Sequence, residues 1–245
     1  MRHNLGTANE DACHMAGNPE EFFMGRALRG TMWVLLALSI GVLSWESYRV
    51  ARAEMRTAQV LAEWRAKPRP LELSDLTDEQ KGILLAIEDP AFYTHNGLDF
   101  SSPGQGLTTI TQSLVKFLYF ERFTPGFAKI EQSLIARLVL NRHMSKDEQL
   151  DLFINQAYFG QREGNEVRGF GMAAQSYFGK RFGELTRDEY IGLVAMLIGP
   201  NAVRPDRPKA YSERVGRIKA LLAGKCMPDG LLDAYLEGCK QQAPT

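Results

Sequence analysis

The stretch Thr31–Trp45 holds fifteen residues without a charge, Thr-Met-Trp-Val-Leu-Leu-Ala-Leu-Ser-Ile-Gly-Val-Leu-Ser-Trp, and it constrains the chain more than any other. A bilayer span takes about 20 apolar residues. Counting from Ala27 and letting Arg29 snorkel closes most of the gap. Trp33, Trp45 and Tyr48 stand where interfacial aromatics belong. Two rivals are a cleaved signal peptide and a buried helix of a soluble body. Ala51-Arg52-Ala53 has the small-x-small form of a cleavage site, but it carries an arginine and follows a long lead. We therefore expect one N-terminal transmembrane helix over residues 27–48. Arg26 and Arg29 precede it, and Arg49, Arg52 and Arg56 follow it, so charge does not set its orientation.

The 245 residues suffice for one sizeable core. Lys+Arg and Asp+Glu are both 29, which leaves no electrostatic case for nucleic acid. Cys13 precedes the span; Cys226 and Cys239 follow it, to pair if the body is exported and to stay thiols if it is cytosolic. Residues 1–25 lack periodicity and read as a disordered tail. Residues 49–73 read as a juxtamembrane helix and a stiff linker, Lys67-Pro68-Arg69-Pro70, the expected domain boundary. A domain over 74–223 and a C-terminal tail over 224–245 follow.

From Ser74 onward the pattern is helical. Thr77 with Gln80, Thr109 with Gln112 and Thr186 with Glu189 have capping-box spacing, and Ser145 with Glu148 caps another start. Gly179 and Gly199-Pro200 mark helix ends. Residues 160–171 read as a polar loop, and no alternating run of strand length stands out. The body is expected to be all-α.

Within it, Glu88-Asp89-Pro90-Ala91-Phe92-Tyr93-Thr94-His95-Asn96-Gly97-Leu98-Asp99 crowds acids, a histidine and turn residues behind an apolar helical run. Pro90 ends that helix near Asp89, placing two carboxylates at the end whose dipole disfavours them. Downstream, Thr109, Gln112 and Lys116 share a face distinct from the apolar stripe of their helix. Four phenylalanines and Tyr119 then fall between Phe117 and Phe127, a density that suits core or lipid; behind an anchor, lipid is favoured.

Ser113-Leu114-Val115-Lys116 has the Ser-x-x-Lys form of penicilloyl serine enzymes, but their Ser-x-Asn and Lys-Thr-Gly elements do not occur. No cysteine sits in a motif with histidine. Sugar chemistry remains, and the residues from Glu88 to Asp99 resemble the first motif of the peptidoglycan glycosyltransferases, family 51. Gly106-Leu107-Thr108-Thr109-Ile110-Thr111-Gln112-Ser113-Leu114-Val115-Lys116-Phe117 resembles the second, Gly-Gly-Ser-Thr-Ile-Thr-Gln-Gln-Leu-x-Lys-Asn, with departures at Leu107, Ser113 and Phe117. Ser145-Lys146-Asp147, Asn155 through Gly160 and Tyr177-Phe178-Gly179-Lys180 match in order, over roughly residues 75–220. Gly164-Asn165-Glu166-Val167-Arg168-Gly169-Phe170 is similar to the bifunctional penicillin-binding enzymes. No transpeptidase domain follows, so the resemblance is to a monofunctional or stand-alone form.

The resemblance implies a lysozyme-like helical lobe with a small hydrophobic jaw that dips into the membrane. It implies polymerisation of lipid II with loss of polyprenyl pyrophosphate, on the periplasmic side of a bacterial inner membrane, with lipid II, the growing glycan strand and other cell-wall proteins as partners. The residue matching Glu88 would be the general base; raising a glutamate from about 4.3 to near 7 needs roughly 3.5 kcal/mol, more than the helix dipole's 0.3–1. Asp89, His95, Thr108, Thr109, Gln112, Lys116, Lys129, Gln132 and Asn155 map onto substrate-binding positions. No cofactor is required, and a divalent cation, Mg or Mn, is left open at the pyrophosphate.

The third motif, Arg-Lys-x-x-Glu-x-x-x-Ala, aligns with Lys129 and Ala136, but Ala128 replaces its arginine and Gln132 its glutamate, the second essential acid. Either Glu131, about 100° round the helix, substitutes for it, or donor binding is weakened and activity reduced. A one-residue insertion before Ser145 is also needed. The expected function is a membrane-anchored peptidoglycan glycosyltransferase. The alternatives are a catalytically weakened or inactive relative that binds lipid II or a cell-wall synthesis partner, and a glycan-cleaving enzyme of lysozyme-like fold.

Overall fold

The structure, a computed structural model, describes the backbone of residues 19–242 and the side chains of residues 28–240. Cys13 and residues 1–18 of the expected tail lie outside the described residues. The chain divides into two units, up to Arg49 and from Val50 onward, with helix α1 (Pro19–Arg65) contributing to both. In the first unit Leu28, Trp33, Leu35, Leu38 and Leu43 are all exposed, so this apolar stretch of the helix is left uncovered by the described residues. It is long and apolar enough to cross a membrane.

In the second unit the last turns of α1 bury Ala53, Thr57, Val60 and Leu61, spaced as one helical stripe. Tyr119 lies 2.8 Å from the Thr57 hydroxyl. The boundary expected at residues 67–70 therefore falls at residues 49–50, because the segment taken for a juxtamembrane spacer supplies core residues. Leu71 and Leu73 follow it and bond Asn155 and Asp151.

The body is helical. Helices α2 (Asp78–Glu88) and α3 (Ile110–Tyr119) begin at the capping boxes of Thr77 and Thr109. Helix α4 (Phe127–Ile135) runs into a π-turn, Ala136–Leu140, and a last short turn, α5 (Asn141–His143). A π-turn holds one residue more than an α-turn. It absorbs the insertion expected before Ser145, and it does so after Gln132, leaving the start of α4 in its simple register. Helix α6 (Lys146–Gln156) starts at Ser145, α7 (Phe170–Phe178) ends at left-handed Gly179, and α8 (Arg187–Met196) starts at Thr186. Helix α9 (Pro208–Leu222) takes its proline in the first turn.

Two further features differ from expectation. Residues expected as a loop form an antiparallel hairpin, β1 (Tyr158–Arg162) and β2 (Asn165–Arg168), that pairs Tyr158 with Arg168. Its two-residue turn has positive φ at Glu163 (51°) and Gly164 (82°), the conformation whose twist suits a tight hairpin. The expected C-terminal tail instead packs on the body. Gly104 and Gly106 donate to the carbonyls of Gly230 and Leu231, Leu236 is buried, and Cys226 and Cys239 form a disulfide.

Candidate active site

Glu88 is the last residue of α2 and Asp89 its C-cap, with an intrahelical bond from Asp89 N–H to Leu85. The two carboxylates point into different surroundings. Asp89 is fully buried and accepts His95 Nε2 at 2.8 and 3.0 Å and the Ile110 backbone N–H at 2.9 Å. His95 Nδ1 in turn accepts the Gly97 N–H, which makes Nε2 the donor toward Asp89. The buried carboxylate thus ties the loop after α2 to the N-terminus of α3, where the helix dipole favours it.

The same shell continues through the second motif. Thr109 Oγ1 donates to Gly97 O and accepts from Gln112 N, while Gln112 Nε2 donates to Ser133 on α4. Gly97 has φ of 90°, and a Cβ there would meet Ala136 O at 2.6 Å, so only glycine fits between this loop and the π-turn. Thr109 and Gln112, expected to face substrate with Lys116, spend their side chains on this shell.

Glu88 lines a cleft of about 390 Å³. Ser113, Lys116 and Phe117 reach it from one face of α3, Tyr158 from β1, and Glu166 and Arg168 from β2. Burial pushes the Glu88 carboxyl up to about 7, with Asp89 adding to the rise and Arg214 opposing it. Arg214, on α9, is buried, and its Nε and Nη1 find no hydrogen-bond partner among the described residues. Its charge acts on Glu88 through space. Arg214 carried no motif in the sequence reading, and only the packing of α9 beside α2 brings it under the base.

On the cationic side, burial lowers the Lys116 ammonium. Lys129 is pulled down to about 8 by burial and by Lys116, and its Nζ donates to Thr108 Oγ1 at 2.8 Å. Lys146 is also held near 8 by burial against the pull of Asp89, with its Nζ 4.5 Å from the Phe92 ring centre. Two neighbouring ammonium groups that repel one another suit a multiply charged anion. Among the described residues, no cluster of metal-ligating side chains stands here. The lysines and threonines on this side offer no carboxylate to hold a resident divalent cation.

The remaining predicted residues divide. Gln132 is fully buried on α4; its Nε2 donates to Gln112 O and its Oε1 finds no partner among the described residues. Glu131, expected as the second acid, is half-buried on α4 and does not line the cleft. Asn155 is spent on structure: its amide bonds Leu71 N–H and O and the Asp151 carbonyl. Sequence reasoning missed Glu166 and Arg168 as cleft residues, although the segment holding them was part of the resemblance.

A helical body with a shielded carboxyl raised to about 7 in a cleft it shares with Lys116 has the makings of a sugar-transferring enzyme site. The sequence profile of the family described as Transglycosylase matches residues 56–223, and the chain belongs to that family. It is similar to penicillin-binding protein 1B of Escherichia coli, at 37% identity over 57% of this chain and 18% of that protein. It is similar also to penicillin-binding protein 1A of Neisseria cinerea, at 32% identity over 70% of this chain and 21% of that protein. A Cupriavidus necator protein provisionally named a transglycosylase is 28% identical over 70% of this chain and 78% of its own length. The chain thus spans about a fifth of the penicillin-binding proteins it matches.

Proposed function

We propose that the protein is a membrane-anchored peptidoglycan glycosyltransferase that polymerises lipid II into glycan strands. Glu88 is the general base: it takes the proton of the acceptor's 4-hydroxyl as that oxygen attacks the donor's anomeric carbon. The bond from this carbon to the pyrophosphate breaks, and its electron pair leaves with the polyprenyl pyrophosphate. The configuration inverts, and Glu88 later returns its proton to solvent. The observation that carries the reading is the Glu88 carboxyl itself, raised to about 7 inside a cleft it shares with Lys116. Lys116 and Lys129, with the Thr108 hydroxyl, suit the departing pyrophosphate.

The uncovered apolar helix supports a single-pass anchor. Phe127, Ile130 and Leu138 are exposed along one side of α4 and its π-turn, which supports a lipid-facing jaw that meets the substrate's polyprenyl chain. The Cys226–Cys239 disulfide supports a periplasmic body, since such bonds persist in oxidising compartments. Purified protein is expected to make glycan polymer from lipid II, and Glu88→Gln to make none; full activity in that variant would falsify the assigned base.

Gln132 favours a second reading, a relative that binds lipid II without polymerising it, because an amide at that position cannot ionise. Tight lipid II binding with no polymer under any buffer condition would decide for it.

A further inference from the structure

We propose that Arg168 is a preorganised anion-binding residue of the Glu88 cleft, reading a phosphate or carboxylate oxygen pair on the sugar–lipid substrate. The inference rests on the glycosyltransferase reading above and adds a residue to it. Strand β2 alternates: Val167 is buried, whereas Glu166 and Arg168 project from the other face, into the cleft. Arg168 Nε donates to Glu166 Oε2 at 2.8 Å. Its guanidinium carbon lies 5.5 Å from the Phe117 ring centre and 5.4 Å from that of Tyr158. Tyr158 is its cross-strand partner, and Phe117 comes from α3.

A mobile arginine loses much of its rotamer freedom on binding; one held by a carboxylate and two rings has already lost it. The guanidinium offers five N–H donors, and Nε alone is engaged by a described residue, so the terminal fork is left for a planar pair of oxygens. Solvent-exposed ion pairs two residues apart on a short hairpin stabilise little, which leaves the stability of the hairpin as a poor reason for the cage. Phe117 stands where the second motif has asparagine, so this chain supplies one wall of the cage through its own departure from the pattern. Both the pyrophosphate of an acceptor lipid and the carboxylates of a stem peptide offer the required oxygens.

The experiment uses the full chain in detergent, with the Glu88→Gln variant for equilibrium binding and the parent for turnover. Lipid II and a disaccharide polyprenyl pyrophosphate without stem peptide are the two probes. Arg168→Met is expected to weaken lipid II binding and raise KM about tenfold or more, with kcat within about threefold. Arg168→Lys should recover only part of that loss, since an ammonium lacks the fork. Phe117→Asn should weaken binding about two- to fivefold. Loss with both probes assigns the pyrophosphate; loss with lipid II alone assigns the peptide carboxylate. Binding and KM within twofold of the parent in Arg168→Met, with an unchanged melting temperature, would overturn the inference. Should that variant not fold, an unchanged KM in Arg168→Lys overturns it. A parent that makes no polymer defeats the glycosyltransferase reading alone, and the binding titration then still decides on Arg168.

Discussion

Glu88 and Asp89 are adjacent in the chain and opposite in circumstance. Asp89 is closed into a shell in which a histidine, a backbone N–H and two further motif residues satisfy one another. Glu88 opens on a cleft, accepts no hydrogen bond from a described residue, and has burial as the main influence on its carboxyl. The difference teaches that one helix end separates a structural acid from a chemical one. Satisfied hydrogen bonds fix a carboxylate in place; unrelieved desolvation makes its neighbour basic enough to accept a proton near neutral pH.

The largest expected effect breaks the chemical half of that comparison. Glu88→Gln should lower polymerisation by about 10²–10⁴-fold in a lipid II assay while the fold persists. The same variant bears on stability. Because the folded carboxyl sits near 7 and its ordinary value is 4.5, the parent loses stability as pH rises from 4.5 to about 7. Glu88→Gln should therefore be more stable than the parent at pH 8 in denaturant unfolding, by up to about 3 kcal/mol, and gain little at pH 4.

Asp89→Ala attacks the structural half. It leaves the His95 N–H and the Ile110 N–H without their acceptor, and denaturant unfolding should show a loss of about 2–4 kcal/mol. A stability within 0.5 kcal/mol or so of the parent would mean that the shell does not hold the loop.

Gln132→Glu tests whether the third motif can be restored. In this chain Nε2 of Gln132 donates to the Gln112 carbonyl, so a carboxylate would face that oxygen while fully buried. A destabilisation of about 1–3 kcal/mol is expected, with no gain in polymerisation rate. Increased turnover would show that α4 re-forms around the acid.

The smallest effect sharpens the electrostatics. Arg214→Met removes the positive charge that restrains Glu88, so the limb of the pH–rate profile set by that base should move upward, by about half a unit to one unit. No shift would mean that the Arg214 charge does not reach the base.

What could be read in the sequence was local. Thr77, Thr109, Ser145 and Thr186 start their helices because each hydroxyl lies within reach of its own N3 backbone N–H, a rule that needs no distant partner. The apolar run Thr31–Trp45 likewise becomes a helix on composition alone, and the position of Glu88 at a helix end followed from Pro90. Tertiary structure decided the rest. The hairpin Tyr158–Arg168 escaped notice because short polar strands with a Glu-Gly turn carry little periodicity, and only its cross-strand pairing puts Arg168 beside Phe117. The stripe Ala53–Leu61 was legible as helix but not as core, since what covers a helix face lies elsewhere in the chain. Arg214, more than a hundred residues from Glu88, reaches it only when α9 packs against the body, and no spacing rule connects them. The sequence alone determined which residues begin and end the helices and where a base could stand. Only the packing decided which of two adjacent carboxylates is desolvated, because desolvation depends on what the rest of the chain places around each one.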